Sequence, residues 1–469
     1  MEKPTENANF QSKLKELATF AEAILKGTNE SHKKELWSKV GNLFRKRIDS
    51  FLPSWRLERP SKKIKKENVK VDLPDEIWIK ILGFMNKTDV FKSFALTCKH
   101  FNKLSLDPSI IKSLSLYKMD ELDHEHVIRV LKRSRFLKKI EIDCCKSSDS
   151  LLLTAFKFNN VLKSVKIRDF NKEENYLISV NKILEESGNK LEILSLRGFF
   201  SLKGVTIMNL VNLKKLYLGI NSYLTSKNLI TLAQNCKLET LHTTVSCDDQ
   251  LNLAFKIFLQ AMEGKMKHLK IVHKNYNDIS LSWTKYLSLC QSLEEIQIRY
   301  GPISNLKGLS ELFNLKLLKL YYIAGNDSDN QKSQKFSNFF KTLDLENMKD
   351  LAISHMDISL EHLTILANRH FPNLKHICLF WCEKLKIDEG TLKKMISNSP
   401  QLKGIHIDET KIELTDEQLY DLMEQSGVTI GVGSTRGQQF KKYLRYQLPG
   451  SVEKYSHRIE CNLCGYTML

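Results

Sequence analysis

The residues whose types and spacing could do chemistry are few. Cys461-x-x-Cys464, with His457 just upstream, offers three metal donors near the end of the sequence. A structural zinc site takes four ligands, and no second Cys-x-x-Cys pair stands close by, so no metal is assigned. Gly431-Val-Gly433-Ser-Thr-Arg436-Gly437 has the glycines of a phosphate-cradling loop. It lacks the Lys-Ser/Thr pair that would hold the phosphates, and Arg436 stands where a dinucleotide turn needs its third glycine. The 13 histidines are dispersed, and paired carboxylates at catalytic spacing are absent. No catalytic residue, metal or cofactor is therefore expected.

What remains is the chemistry of recognition, carried by aromatic and charged residues at a repeating position. An apolar residue, two variable ones, an apolar, one variable and an apolar recur twelve times. The series starts at Ile111, Leu137, Leu162, Leu191, Leu213 and Leu238, and continues at Met266, Leu293, Leu315, Met348, Leu374 and Leu402. Successive starts lie 22 to 33 residues apart, the period of a leucine-rich solenoid. Positions 4 and 6 of each unit would form a short strand pointing inward, and a helix would return the chain. Thr415-x-x-Gln418 is a capping box that opens one such helix. Val428–Val432 would be a last strand ending the array. One repeat cannot bury its own leucines, so the core exists only when neighbours stack.

Because side chains alternate along a strand, positions 5 and 7 face away from that core. In the last five turns these rows and the next position hold Arg299, Tyr300, Tyr321, Tyr322, His355, Phe380, Trp381 and His406. Exposed Tyr, Trp, Phe and Arg anchor recognition surfaces, so these eight are the candidate target-binding residues. The other reading is that Phe380 or Trp381 folds under a neighbouring loop, since aromatics also finish cores. The longer turn before Met348, with Gly325-Asn-Asp-Ser-Asp-Asn330, could border a ligand.

The chain has 469 residues and a net charge of +18. Residues 1–70 hold 17 Lys/Arg against 9 Asp/Glu, so the excess is concentrated at the front. A solvated lysine-rich surface accounts for it; nucleic acid or an acidic partner is the alternative. Pro60-Ser-Lys62-Lys63-Ile-Lys65-Lys66 suits either a solvated linker or a nuclear import signal. Apolar positions at helical spacing before it predict a helical hairpin over 1–55. No run of about 18 apolar residues predicts a membrane span, and the polar N-terminus does not read as a secretory signal. Ten scattered cysteines are too few for a disulfide scaffold, which fits a reducing cytoplasmic or nuclear setting.

Between front and array lies LPDEIWIKILGFMNKTDVFKSFALTCKHFNKL, Leu73 to Leu104. Pro74 opens a helix with Ile77, Ile81, Phe84 and Met85 on one face. Asn86–Asp89 interrupts it and would cap a second helix carrying Val90 and Phe94; Cys98 begins a third. These short helices have more apolar surface than a lone hairpin can hide. The stretch resembles the F-box in Leu73-Pro74-x-Glu76-Ile77, Ile81-Leu82, Asp89-Val90 and Cys98-Lys99-x-Phe101, with Thr97 and Phe101 replacing the family's usual valine and tryptophan. The array resembles the cysteine-containing repeats of F-box proteins, most closely at Leu374-x-x-Ile377-x-Leu379-x-x-Cys382 and in the front half at Leu137-x-x-Ile140-x-Ile142-x-x-Cys145. It makes Cys145 and Cys382 small buried fillers.

The resemblance implies an α/β chain: an N-terminal helical F-box module, then a solenoid with a curved parallel sheet inside and helices outside. The expected domains are a hairpin at 1–55, a basic linker at 56–70, an F-box at 71–110, about twelve repeats and a cap at 111–433, and a tail at 434–469. It also implies a non-catalytic substrate receptor of an SCF-type ubiquitin ligase. Leu73, Pro74, Ile77, Ile81, Leu82, Val90 and Phe94 would contact a Skp-type adaptor, linked to a cullin–RING ligase, and the repeats would hold a protein target. A repeat scaffold without a ligase role and a nuclear nucleic-acid-associated factor stay open as alternatives.

Overall fold

A computed structural model describes residues 74–432, apart from short segments at 86–89, 91–94, 96, 108, 117–123, 144–147, 169–173, 198–201, 203, 220–222, 246–248, 274–282, 301–305, 324–328, 383 and 409. Leu73, Phe94, Cys145, the 1–55 hairpin, the basic run at 60–66 and the Cys461/Cys464/His457 group lie outside the described residues, as does Gly433–Gly437.

The described chain forms two compact units, one ending at Ile142 and including Ser150–Leu162, the other Asp143–Asp149 and the chain from Lys163 on. The first unit opens with a helix over Asp75–Phe84 whose N-cap is Pro74, where a missing N–H costs nothing. Trp78 and Leu82 are buried on it, and Phe101 packs edge-on against Trp78 at 4.8 Å. Phe101 belongs to a second helix, Lys99–Ser105, capped by the Cys98 thiol, which accepts from the Phe101 N–H. The Asn102 amide donates to the Ala95 carbonyl. Two strands of the array, β1 (Ser113–Leu116) and β2 (Lys139–Asp143), pair in parallel in this unit.

The second unit repeats one device. Its strands are β3 (Ser164–Arg168), β4 (Ile193–Arg197), β5 (Lys215–Leu218), β6 (Thr240–Val245), β7 (His268–His273), β8 (Glu295–Arg299), β9 (Leu317–Tyr321), β10 (Asp350–Ser354), β11 (His376–Phe380), β12 (Gly404–Asp408) and β13 (Thr429–Val432). They form one open parallel sheet in chain order, each reached through a helical or 3-10 segment. The leucine period thus became strands at every predicted turn, with Val428–Val432 ending the ladder as expected. Registers pair like with like: Leu318 lies beside Ile296 and Leu351, and Leu320 beside Ile298 and Ile353. Positions 1, 4 and 6 are almost all fully buried. Each buried aliphatic side chain contributes about 1.5–3 kcal/mol.

Two further ladders hold repeat to repeat. The N–H groups at positions 2 and 3 both donate to the position 2 carbonyl of the preceding repeat, as Lys316 and Leu317 do to Glu294. Asn212, Asn314, Asn347 and Asn373, each just before the first apolar residue of a repeat, donate their amides to the carbonyls of Asn189, Gln291, Phe313 and Glu346. Helix caps follow the sequence. Thr415 and Gln418 form the expected reciprocal box, and Gly427 ends that helix at φ 69, a left-handed turn glycine takes without strain.

Candidate recognition face

The first surface is the helical module. Of the seven adaptor candidates, Leu73 and Phe94 are not described. Ile81, Leu82 and Val90 are buried, so they hold the module together and have little surface to give a partner. Pro74 is exposed and Ile77 half-buried.

The second surface is the face of the sheet opposite the leucines. Positions 5 from β3 to β11 are Lys166, Ser195, Tyr217, His242, Lys270, Gln297, Lys319, Ala352 and Cys378. Positions 7 are Arg168, Arg197, Gly219, Thr244, Val272, Arg299, Tyr321, Ser354 and Phe380. Between β3 and β11 neither row holds a carboxylate; Glu141 and Asp143 occupy these positions on β2, and Asp408 position 7 on β12. Of those at positions 2 and 3, Glu192 reaches Lys163 and Lys214, Glu294 lies 2.7 Å from Lys316, and Asp350 lies 2.8 Å from His376. Glu295 lies 3.8 Å from His268.

The rows change character at β9. From β3 to β9 they are basic. Burial and the neighbouring Arg299, Lys319 and Arg197 hold the Lys270 ammonium below its ordinary pKa. The His242 imidazole is pushed down to about 4, first by burial and then by Lys270, His268 and Arg197. Tyr217 meets the His242 ring edge-on at 4.8 Å, and the Arg299 guanidinium lies 5.0 Å above the Tyr321 ring.

From β9 onward the face is packed. Ala352, Cys378 and Phe380 form a buried cluster against which Leu317 packs. Tyr321, Phe380 and His406, expected as surface anchors, are each only 4% exposed. His406 Nδ1 lies 3.3 Å from the Cys378 thiol, and its ring lies beside Phe380. These three finish a core, the alternative that the sequence left open for Phe380. Trp381 escapes it at 42% exposure, with its ring stacked on Phe380.

The four residues at position 8, Tyr300, Tyr322, His355 and Trp381, share a left-handed backbone, φ 51 to 61. Side chains there cost about 1–2 kcal/mol each. Two contacts offset it. The N–H groups of Tyr300, Tyr322 and His355 stay in the ladder, donating to the carbonyls of Tyr321, Ser354 and Phe380. Their three rings stack with successive centroids 4.9 and 3.8 Å apart, and Trp381 meets His355 edge-on at 4.6 Å. Ser354 Oγ lies 2.6 Å from His355 Nδ1, and burial and Arg299 hold that imidazole below its ordinary pKa.

Cys382 lies fully buried with its thiol toward the Ile353 and Phe380 carbonyls, and burial pushes it up to about 12. Among the described residues, no group of three His, Cys, Asp or Glu could hold a metal, and no helix is long and apolar enough to cross a membrane. Gly325–Ser328 of the long turn is not described; the chain after it is the helix Asp329–Thr342.

The fold is that of a leucine-rich parallel array preceded by a small helical module. The comparisons then name that module: residues 71–117 match the F-box-like family, and the chain carries an F-box-like domain there. No curated protein matches the chain. Among solved structures, the crystal structure of the Rad7 and Elc1 complex in yeast is similar at 14% identity and TM-score 0.46, covering 83% of this chain and 96% of that one. A leucine-rich repeat protein of Leptospira interrogans is similar at 16% identity and TM-score 0.35, over 71% and 80%.

Proposed function

We propose that this chain is a substrate-binding subunit of a Skp–cullin–RING ubiquitin ligase, acting in the cytoplasm or nucleus. The observation that carries the reading is the F-box-like domain at 71–117 joined to a parallel array with an open, side-chain-rich sheet face. The module docks on a Skp-type adaptor through Pro74 and Ile77, and the array holds a target protein. The mechanism is proximity. A target lysine held beside a charged conjugating enzyme reacts at raised effective concentration, and the chain itself supplies no reactive group.

The test is capture of the full chain from cells with the proteasome blocked. Adaptor and cullin are expected together. Ile77→Glu, which sets a charge on a half-buried apolar docking side chain, should lower adaptor capture about tenfold or more. Adaptor without cullin would mean a scaffold outside the ligase, and equal capture by both forms would sink the F-box assignment.

A further inference from the structure

We propose that the basic half of the sheet face binds an acidic peptide segment of the target, with Arg197, Lys270 and Arg299 receiving its carboxylate or phosphate oxygens. The inference rests on the array being the target-binding part, and it names the chemistry of what is bound.

Three observations support it. First, the cations Arg197, Lys270 and Arg299 are concentrated, and no ion pair neutralises them among the described residues. Arg197 and Arg299 lie in the position 7 row and Lys270 in the position 5 row, and neither row holds a carboxylate from β3 to β11. Of the carboxylates at the strand starts, Glu192, Glu294, Glu295 and Asp350 already face Lys163, Lys214, Lys316, His268 and His376, while Glu239 stands at position 2 of β6. Like charges held together raise the free energy of the empty face, and an incoming anion relieves it. Lys166, Arg168 and Lys319 stand in the same two rows on β3 and β9.

Second, the groups are oriented. The Arg299 guanidinium is laid over the Tyr321 ring, and its Nε is enclosed without a hydrogen bond among the described residues. A planar fork held in this way suits a bidentate oxyanion. Lys270 stands between His242 and Gln297 in register, so hydrogen-bonding side chains alternate with charge along the row.

Third, the dimensions fit a peptide. β4 to β9 is five strand steps, about 24 Å, which an extended segment of about seven residues would span. Single-stranded nucleic acid would want open ring faces for its bases. Here the aromatic rings are committed to each other or to Arg299: Tyr217 to His242, and Tyr321 under the guanidinium. Beyond β9 the row residues Ala352, Cys378 and Phe380 are buried in a cluster, so charge sets the preference on the basic half.

The experiment titrates full-length protein into labelled probes and reads anisotropy. The probes are an Asp/Glu-rich peptide, the same length with phosphoserines, an uncharged Ser/Gln peptide, and a single-stranded oligonucleotide of equal charge. Both acidic peptides are expected to bind, more weakly as salt rises, and whichever binds tighter identifies the preferred oxyanion. R197E/K270E/R299E should lower that affinity about tenfold or more. K256E/K285E, beside Tyr286 on the helical side, should leave it unchanged. Circular dichroism checks the folding of each variant. If the triple variant does not fold, R197E alone, at an exposed side chain, should still weaken binding about threefold. Equal binding by folded variants, an uncharged peptide bound as tightly, or an oligonucleotide bound more tightly overturns the proposal. Adaptor capture is followed on the same samples. Lost adaptor with peptide binding intact would count against the ligase reading and leave this one standing.

Discussion

One sheet carries two opposite solutions on the same face. Between β3 and β9, positions 5 and 7 hold Lys166, Arg168, Arg197, Lys270, Arg299 and Lys319, and the face stays partly open. Between β9 and β12 the same positions hold Tyr321, Ala352, Cys378, Phe380 and His406, and the face is buried. Strand register and the buried leucine positions are the same in both halves. What differs between the halves is carried by the two outward rows, and stability beyond the shared core depends on whether those rows pack.

The largest way to break the comparison is through packing. Phe380→Ala should destabilise by about 3–5 kcal/mol, since a buried ring leaves a cavity. Gln297→Ala at a row position in the open half should stay within about 0.5 kcal/mol. Urea unfolding followed by circular dichroism measures both; equal losses would mean that the halves are not different.

Acid comes next. The buried His273 accepts a hydrogen bond from the Trp283 indole, and burial holds its pKa down to about 4. An unfolded histidine titrates near its ordinary 6.5. Between these values the unfolded chain binds a proton that the native chain does not, so the stability is full above pH 6.5 and falls as pH drops towards 4. The loss is about 3 kcal/mol over that window. His242 adds to it in the same direction. Hydrogen exchange at pH 5 should show β6 and β7 losing protection before β10 and β11. His273→Gln, which keeps an acceptor and cannot titrate, should flatten the profile.

The smallest effect sharpens the comparison by its sign. Lys270 is partly desolvated among like charges. Lys270→Met keeps the stem and removes the charge, and should raise stability by about 0.5 kcal/mol at low salt, fading as salt screens the field. A loss at low salt would show that the ammonium is already paired.

Much of the array was legible because its period is a packing requirement. A leucine at positions 1, 4 and 6 is buried or the repeat does not form, so strand positions and register follow from spacing. The face each row takes also follows, and reading those rows before Leu293 as well as after would have found Arg197, His242 and Lys270. What a row meets on its face was not legible: Tyr321, Phe380 and His406 point where alternation says, yet they are buried rather than displayed. The left-handed backbone at Tyr300, Tyr322, His355 and Trp381 was invisible for a related reason, since the ring contacts and ladder hydrogen bonds that offset its strain join different repeats. In the module, Leu82 and Val90 read as partner contacts because apolar spacing does not say which side is already covered.

Cys236, Cys290 and Cys382 each place a buried thiol against a carbonyl of the preceding repeat. Burial pushes Cys236 and Cys382 up to about 12 and Cys290 upward as well. Only a thiolate is alkylated, so these three sulfurs stay silent at neutral pH while their repeats are closed. Each becomes a clock for local opening, and their separate modification rates would time the array's breathing at three points along its length.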